Sequence, residues 1–208
     1  MPNRKKPETG RKSAYVARNR VAILKAALTV FAREGLEATM EDVSDEARVA
    51  MSTVYKHFKD KQDLIASTTA YAFSEWESWV QQQISEVTDP LEQLVMPMRI
   101  FLRAKDTHPE YAKLVAKNFG VVGQILPNLS SVISDQVIGL NKLKVLSVES
   151  PAIAIQNLLS VLVIQLVNQT LNAKATTAEA DATIRIALAM LGISDAKAKK
   201  LTESKINL

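Results

Sequence analysis

Apolar residues along the chain recur at three- and four-residue spacing, and no segment alternates with period two for long. That rhythm predicts helices throughout. Leu24, Ala27, Leu28 and Phe31 mark a first amphipathic helix, and Gly35 stands where a glycine stops one. In "TMEDVSDEA", Thr39 is placed as an N-cap with Asp42 three residues on, and Met40, Val43 and Ala47 form the inner stripe. Arg48, Val49 and Ala50 then separate this helix from a third, whose Met51, Val54 and Phe58 make one short apolar face. Two short helices joined by a three-residue turn describe a helix-turn-helix.

From Lys61 a longer helix is expected, with Asp60 as N-cap and Asp63 at its third position. Ile65, Ala72, Trp76, Trp79 and Val80 give it an apolar face until about Val87. "TDP" at Thr88 opens a helix bearing Leu91, Leu94, Val95, Met98 and Phe101, and "THPE" at Thr107 opens one bearing Tyr111, Leu114, Val115 and Phe119. Gly120, Gly123 and Pro127 predict a loop, followed by a helix to about Val148. "ESP" at Glu149 opens the most apolar helix, in which 13 of the 21 residues from Pro151 to Leu171 are Ala, Val, Ile or Leu. Such a helix must be covered on more than one side. A last helix carries Ile184, Ala187, Leu188 and Leu191 and ends before Gly192. The expected architecture is all-α: an N-terminal three-helix helix-turn-helix unit leading directly into a larger C-terminal helical bundle. The boundaries fall at residues 1–17 (a basic flexible arm), 18–62 (the helix-turn-helix unit) and 63–208 (the bundle).

Composition narrows the function. The 208 residues include no cysteine, which excludes disulfides, thiolate metal sites and cysteine nucleophiles. The first twenty residues lack the apolar core of a secretory signal. The longest apolar run, "LLSVLVIQLV" from Leu158, is about half of the roughly 20 residues a bilayer span needs. A cytoplasmic protein with no membrane partner is therefore expected. Charge is asymmetric: residues 1–61 hold 13 Lys and Arg against 8 Asp and Glu, whereas the remainder holds 13 against 14. The excess is densest at Arg4, Lys5, Lys6, Arg11, Lys12, Arg18 and Arg20 and suggests a polyanionic partner. With His57 and His108 the only histidines, and no HExxH, P-loop, GxGxxG or nucleophile elbow, the chain is not expected to be an enzyme or to hold a metal or cofactor.

The exposed side of the third helix suits a DNA major groove. Ser52 and Thr53 offer hydroxyls to phosphates or base edges, and Thr53 adds a methyl for thymine. Tyr55 places a hydroxyl on a rigid stem, and Lys56 matches guanine O6/N7 or a phosphate. His57 is equally a phosphate donor or a half-buried packing residue, and Tyr55 is alternatively a wedge against the next helix. Lys61 opposes the dipole of the helix it begins, so a phosphate docked on that N-terminus would explain it, and the Thr39 end of the second helix offers a similar clamp.

Residues 20–64 resemble the DNA-binding domain of the TetR/AcrR family of bacterial regulators. The resemblance rests on "ILKAALTVFAREGLEATMEDVSDEA" and "VAMSTVYKHFKDKQDLI", with the hydroxyl–aliphatic–Tyr–x–His–Phe–x–x–Lys pattern at Thr53, Val54, Tyr55, His57, Phe58 and Lys61. It covers about 45 of 208 residues. Two positions depart from the family pattern. Arg48 stands where a glycine usually takes positive φ, at a cost of about 1–2 kcal/mol. Ala50 replaces the usual Ser N-cap, at a cost of roughly 0.5–2 kcal/mol. Either Ser52 caps one turn later or the unit is less rigid; Arg48 is expected to reach a phosphate.

The resemblance implies a dimeric repressor on a palindromic operator, paired through the last two long helices (about 151–191) and released by a small-molecule effector. Candidate pocket residues are Trp76, Trp79, Met98, Phe101, Tyr111 and Phe119, with Arg103 and Gln165 as polar points; Met96, Arg99 and Asn118 extend the set. Their apolar dominance favours a lipophilic or aromatic effector. The competing readings are a DNA-binding protein without sequence preference and a helical adaptor.

Overall fold

The chain stops and restarts its helices at residues whose local chemistry dictates it. The computed structural model describes residues 8–204 and 206, with backbone alone over residues 8–12 and 121–132. In order, the elements are α1 (Glu8–Glu34), a 3-10 turn (Gly35–Glu37), α2 (Met40–Glu46), α3 (Met51–His57), α4 (Lys61–Gln83), α5 (Pro90–Phe101), α6 (Ala104–Thr107), α7 (Pro109–Lys117), α8 (Phe119–Lys142), α9 (Pro151–Leu171), α10 (Thr177–Met190) and α11 (Asp195–Glu203). The fold is all-α, and the described residues include no strand.

Gly35 ends α1 at φ 67°, the left-handed region where glycine is cheapest. Thr39 and Asp42 cap α2 reciprocally: the Thr39 hydroxyl accepts from the Asp42 amide, and the Asp42 carboxylate accepts from the Thr39 amide. Asp60 accepts from the Asp63 amide at the start of α4, and Thr176 and Glu179 form a second capping box at α10. Ile23, Leu24, Ala27, Val30 and Phe31 are buried along α1, the spacing of one helical face. They join a core that runs without a break from α1 to Ala198 in α11.

The N-terminal helices are held to the bundle through α7. The Lys117 ammonium donates to the carbonyl of Arg33. The Asn118 amide donates to the carbonyls of Leu114 at 2.9 Å and Phe31 at 3.5 Å. Two carbonyls in the last turn of α1, which no helical amide would satisfy, thus find partners.

Three segments differ from expectation. The backbone is helical from Glu8 onward, where an arm over residues 1–17 is expected; residues 1–7 lie outside the described residues. The loop expected around Gly120, Gly123 and Pro127 is helix α8. Pro127 has no amide to give the carbonyl of Gly123 four residues earlier, yet the helical backbone continues through both. Conversely α8 ends at Lys142, short of Val148. Lys144 turns left-handed at φ 58°, its amide bonds the Asn141 carbonyl, and the Val145 amide bonds that of Leu140, a Schellman stop without glycine. Asn141 then closes the loop by pairing its side-chain amide with both backbone groups of Val148, at 3.0 and 2.9 Å. Finally, α11 follows Gly192, where no helix is expected. A Cβ at Gly192 (φ 76°) would lie 2.6 Å from the Ser147 carbonyl oxygen, so this close approach requires glycine.

Candidate DNA-reading helix and ligand pocket

The turn into α3 forms around Arg48. Its φ is 53°, its amide bonds the Asp45 carbonyl at 3.0 Å, and the Val49 amide bonds that of Ser44 at 3.0 Å. This pairing stops α2 as a glycine would, and half-buried Val49 packs on the core at its centre. Ala50 is the N-cap residue of α3 and supplies no side-chain cap. The helix still starts there, because the Ala50 carbonyl accepts from the Thr53 amide at 2.8 Å and from that of Val54 at 3.4 Å. Ser52 makes no substitute cap among the described hydrogen bonds.

Val54 and Phe58 are fully buried and fix the rotation of α3. The opposite side presents Ser52, Tyr55 and Lys56 to solvent, Tyr55 being 54% exposed, while Thr53 and His57 are half-buried at its edges. Tyr55 is therefore not wedged against α4. Arg20 of α1 lies over the Phe58 ring at 4.9 Å and donates to the Ser67 hydroxyl at 3.3 Å, tying α1 to the end of α3 and to α4. Partial burial, then the charges of Arg20 and Lys56, hold the His57 imidazole below its usual range.

Of the other sequence candidates, Thr39 caps α2, Arg48 stands in the turn between α2 and α3, and Lys61 begins α4, and two of the three are already engaged. The Thr39 hydroxyl donates to Asp42 while accepting from its amide, so its single donor is already used. Those Thr39 bonds hold the Asp42 carboxyl below its usual range. The Lys61 ammonium donates to the carbonyl of Leu36, in the turn between α1 and α2. This contact resolves the apparent misplacement of a cation in the first turn of α4, since the charge answers a carbonyl from a neighbouring element. Arg48 is exposed.

The bundle carries a pocket between α4, α5, α8 and α9, with a cavity of about 100 Å³ that opens to solvent. Apolar cavities of this order, roughly 150 Å³, hold a benzene-sized molecule. Of the sequence candidates, Trp76, Met98 and Phe101 line it. The Trp76 and Phe101 rings cluster with that of Phe73: Phe73 to Trp76 and Trp76 to Phe101 are each 5.6 Å between centroids. The Trp76 indole nitrogen is buried with no hydrogen-bond partner among the described residues. The other candidates are placed elsewhere. Trp79 packs edge-on against His108 at 4.5 Å. Phe119 is exposed. Tyr111 is buried against Trp76 and faces a second crevice shared with Lys25 and Leu28 of α1. Gln165 is half-buried and outside the pocket lining.

Arg99 and Arg103 are committed to the fold. Arg103 pairs with both oxygens of Asp181 at 2.9 and 2.8 Å. Arg99, 3% exposed, reaches Asp181 at 3.4 Å, the carbonyls of Leu201 and Thr202 at 3.1 and 2.6 Å, and the Ser204 hydroxyl at 2.8 Å. It thereby answers the last carbonyls of α11 and clasps that helix to α5 and α10. The pocket residues that sequence reasoning missed include Phe73, Glu77, Gln81, Pro97, Gln136 and Leu162. Phe73, Glu77 and Gln81 follow one another at four-residue spacing on α4, a signal that was present but carried no distinctive chemistry.

On the other side of α9, Ile153, Ile164 and Leu171 stand exposed on one line of the helix, and Ile186 and Met190 do so on α10. By length and composition α9 could cross a bilayer. Gln156, Asn157, Ser160 and Asn168 share its exposed side, and Leu158, Leu162 and Leu166 are in the core.

Residues 23–68 match the sequence model of the family described as bacterial regulatory proteins, tetR family. The HTH-type transcriptional repressor KstR2 of Mycolicibacterium smegmatis is 36% identical over 80 residues, which are 38% of this chain and 38% of that protein. The HTH-type transcriptional regulator HbdR of Aromatoleum sp. is 30% identical over 80 residues, 38% of this chain and 35% of that protein. The matched part thus spans little more than a third of either relative. Across nearly the whole chain, the fold is shared with RolR in complex with resorcinol (15% identity, TM-score 0.76, 94% of this chain and 98% of that one). It is shared also with the fatty acid degradation regulator FadR from Bacillus halodurans (18%, 0.67, 82% and 97%). The N-terminal match falls on the capped helices, left-handed turn and exposed side of α3 described above, and residues 23–68 carry the sequence pattern of the tetR family of bacterial regulatory proteins.

Proposed function

We propose that this protein is a cytoplasmic, ligand-responsive transcriptional repressor that binds a palindromic DNA operator as a homodimer. The observation that carries the reading is the exposed row Ser52, Tyr55 and Lys56 on a helix whose rotation is fixed by buried Val54 and Phe58. Thr53 and His57 extend that row, and Arg48, with the Thr39 and Lys61 ends of α2 and α4, borders it against the DNA backbone. One such helix reads too few base pairs for specificity, so two copies are required, and the apolar line of α9 and α10 offers the surface for pairing them. The N-terminal unit to about residue 62 is read as the DNA-binding part and the remainder as the ligand-binding and dimerisation part.

Response to a ligand follows from α4. Its first residue, Lys61, is tied to the turn before α2, and about 24 Å further along, Glu77 lines the pocket. A ligand that prefers a pocket in which α4 is tilted lowers operator affinity by its differential affinity for the two states. The test is fluorescence anisotropy with promoter fragments selected from the source genome. A preference of about 10³-fold over random duplex is expected, lost in Tyr55→Ala/Lys56→Ala without a change in thermal midpoint. Equal affinity for random and selected duplexes would refute the repressor reading in favour of binding without sequence preference.

A further inference from the structure

The charge of the pocket selects its ligand, and this inference rests on the reading of that cavity as the effector site. Glu77 is the one ionisable side chain among its described lining residues, beside the amides Gln81 and Gln136. The α8 stretch of residues 121–132, which borders Ile133 and Gln136, contains no charged residue in its sequence. The nearby arginines of α5 are spent: Arg103 holds Asp181, and Arg99 holds Asp181 and the end of α11. A carboxylate or phosphate entering this cavity would leave water and meet a like charge with no cation to answer it. A positive group meets the opposite. Glu77 lies one turn from Phe73 and next to Trp76, and Phe73, Trp76 and Phe101 present clustered aromatic rings in the same cavity. Aromatic faces with one carboxylate are the surroundings in which a desolvated ammonium is favoured.

We propose that the pocket takes a lipophilic cation, an amine or quaternary ammonium on an apolar body, with Glu77 as its counter-charge and Phe73, Trp76 and Phe101 around it. Isothermal titration of the full-length protein with three matched probes tests this: naphthylmethyl-trimethylammonium, naphthylmethanol and naphthylacetate. The ammonium is expected to bind about tenfold tighter than the alcohol, and the acetate more weakly than both. In Glu77→Gln the ammonium loses that advantage while the alcohol stays within about twofold. Leu162→Trp, which fills the cavity, is expected to abolish binding of both.

Acetate binding as tight as the alcohol, or an ammonium preference that survives Glu77→Gln, would overturn the proposal. Alcohol binding that Leu162→Trp abolishes, without any preference for ammonium, overturns the charge inference and leaves the cavity reading standing. Failure of all three probes to bind overturns the cavity reading, and the proposal with it.

Discussion

Trp76 of α4 lies nearly parallel to Tyr111 of α7, with ring centroids 6.0 Å apart and planes 11° from each other. Trp76 lines the pocket between α4, α5, α8 and α9, and together with Tyr111 it also lines the crevice against α1. The continuation of α7 is the Lys117 and Asn118 pair that bonds the last carbonyls of α1. A shift of Trp76 therefore meets an element fixed to the N-terminal helices. A double-mutant cycle of Trp76→Phe and Tyr111→Leu is expected to show a coupling of about 1 kcal/mol by urea unfolding. Trp76→Phe alone should cost less than its lost volume suggests, because it removes a buried, unpartnered N–H worth about 1–3 kcal/mol of desolvation. A coupling near zero would show that the stack does not join the two helices.

Asp181 holds two arginines, one of them buried. Asp181→Ala leaves Arg99 in the core without its counter-charge, and breaking such a pair costs about 3 kcal/mol. The loss should appear first at α11, since Arg99 is also what satisfies the Leu201 and Thr202 carbonyls. Limited trypsin digestion is expected to cleave Asp181→Ala at Lys197, Lys199 or Lys200 well before the wild type. Equal rates of cleavage at these sites would show that α11 is held by its apolar contacts alone.

How much of this was legible in the sequence follows the range of the interactions. Caps and stops are local, so Thr39 with Asp42, Asp60 with Asp63, and Gly35 could be read from adjacent residues. The left-handed turn at Arg48 was legible only through the resemblance, since a glycine usually stands at that position. Helix α8 could not be read, because two glycines and a proline signal a loop locally while the longer backbone continues through them. Nor could α11, a short charged segment whose principal polar contact, Arg99, lies about a hundred residues earlier. The same distance hid the true role of Arg99 and Arg103: spacing placed them near the pocket, and only the fold revealed Asp181 between them. The aromatic wall at Trp76 and Phe101 was legible as an apolar face. Which apolar residues line a void and which simply pack depends on how four helices meet.

Stability should fall with acid in a window set by histidines. Partial burial and the charges of Arg20 and Lys56 lower the affinity of His57 for a proton, and burial alone does so for His108 against Trp79. Below about pH 6.5 the unfolded chain therefore takes up protons before the folded one. Stability is flat above that pH and declines below it until the folded imidazoles protonate as well. Urea midpoints measured from about pH 7 to about pH 5.5 are expected to drop for the wild type and stay nearly level in His57→Gln/His108→Gln. An undiminished slope in the double variant would assign the window to other groups.

Ile164 tests the pairing of two copies. It is 56% exposed on α9, in line with Ile153 and Leu171, so a glutamate there meets water in a single chain but an apolar partner in a dimer. Ile164→Glu is expected to sediment as a monomer with an unchanged helical content. Its operator affinity should then fall about 10³-fold, toward that for random DNA. A variant that stays dimeric would place the interface elsewhere.

Arg48 sets stability against DNA binding in a single residue. At φ 53° it carries a side chain through a conformation that costs about 1–2 kcal/mol for anything but glycine. Arg48→Gly keeps the turn, whose two hydrogen bonds are made by backbone amides alone, and is expected to raise the unfolding free energy by about 1 kcal/mol. The exposed Arg48 side chain, in the turn before α3, is a candidate for a phosphate of the operator. Its loss should lower affinity for all duplexes alike and reduce the salt dependence by about one counterion. Stability is read by urea unfolding and DNA binding by anisotropy across a salt series. A more stable variant with unchanged affinity and salt slope would mean that the strain at Arg48 serves no contact with DNA.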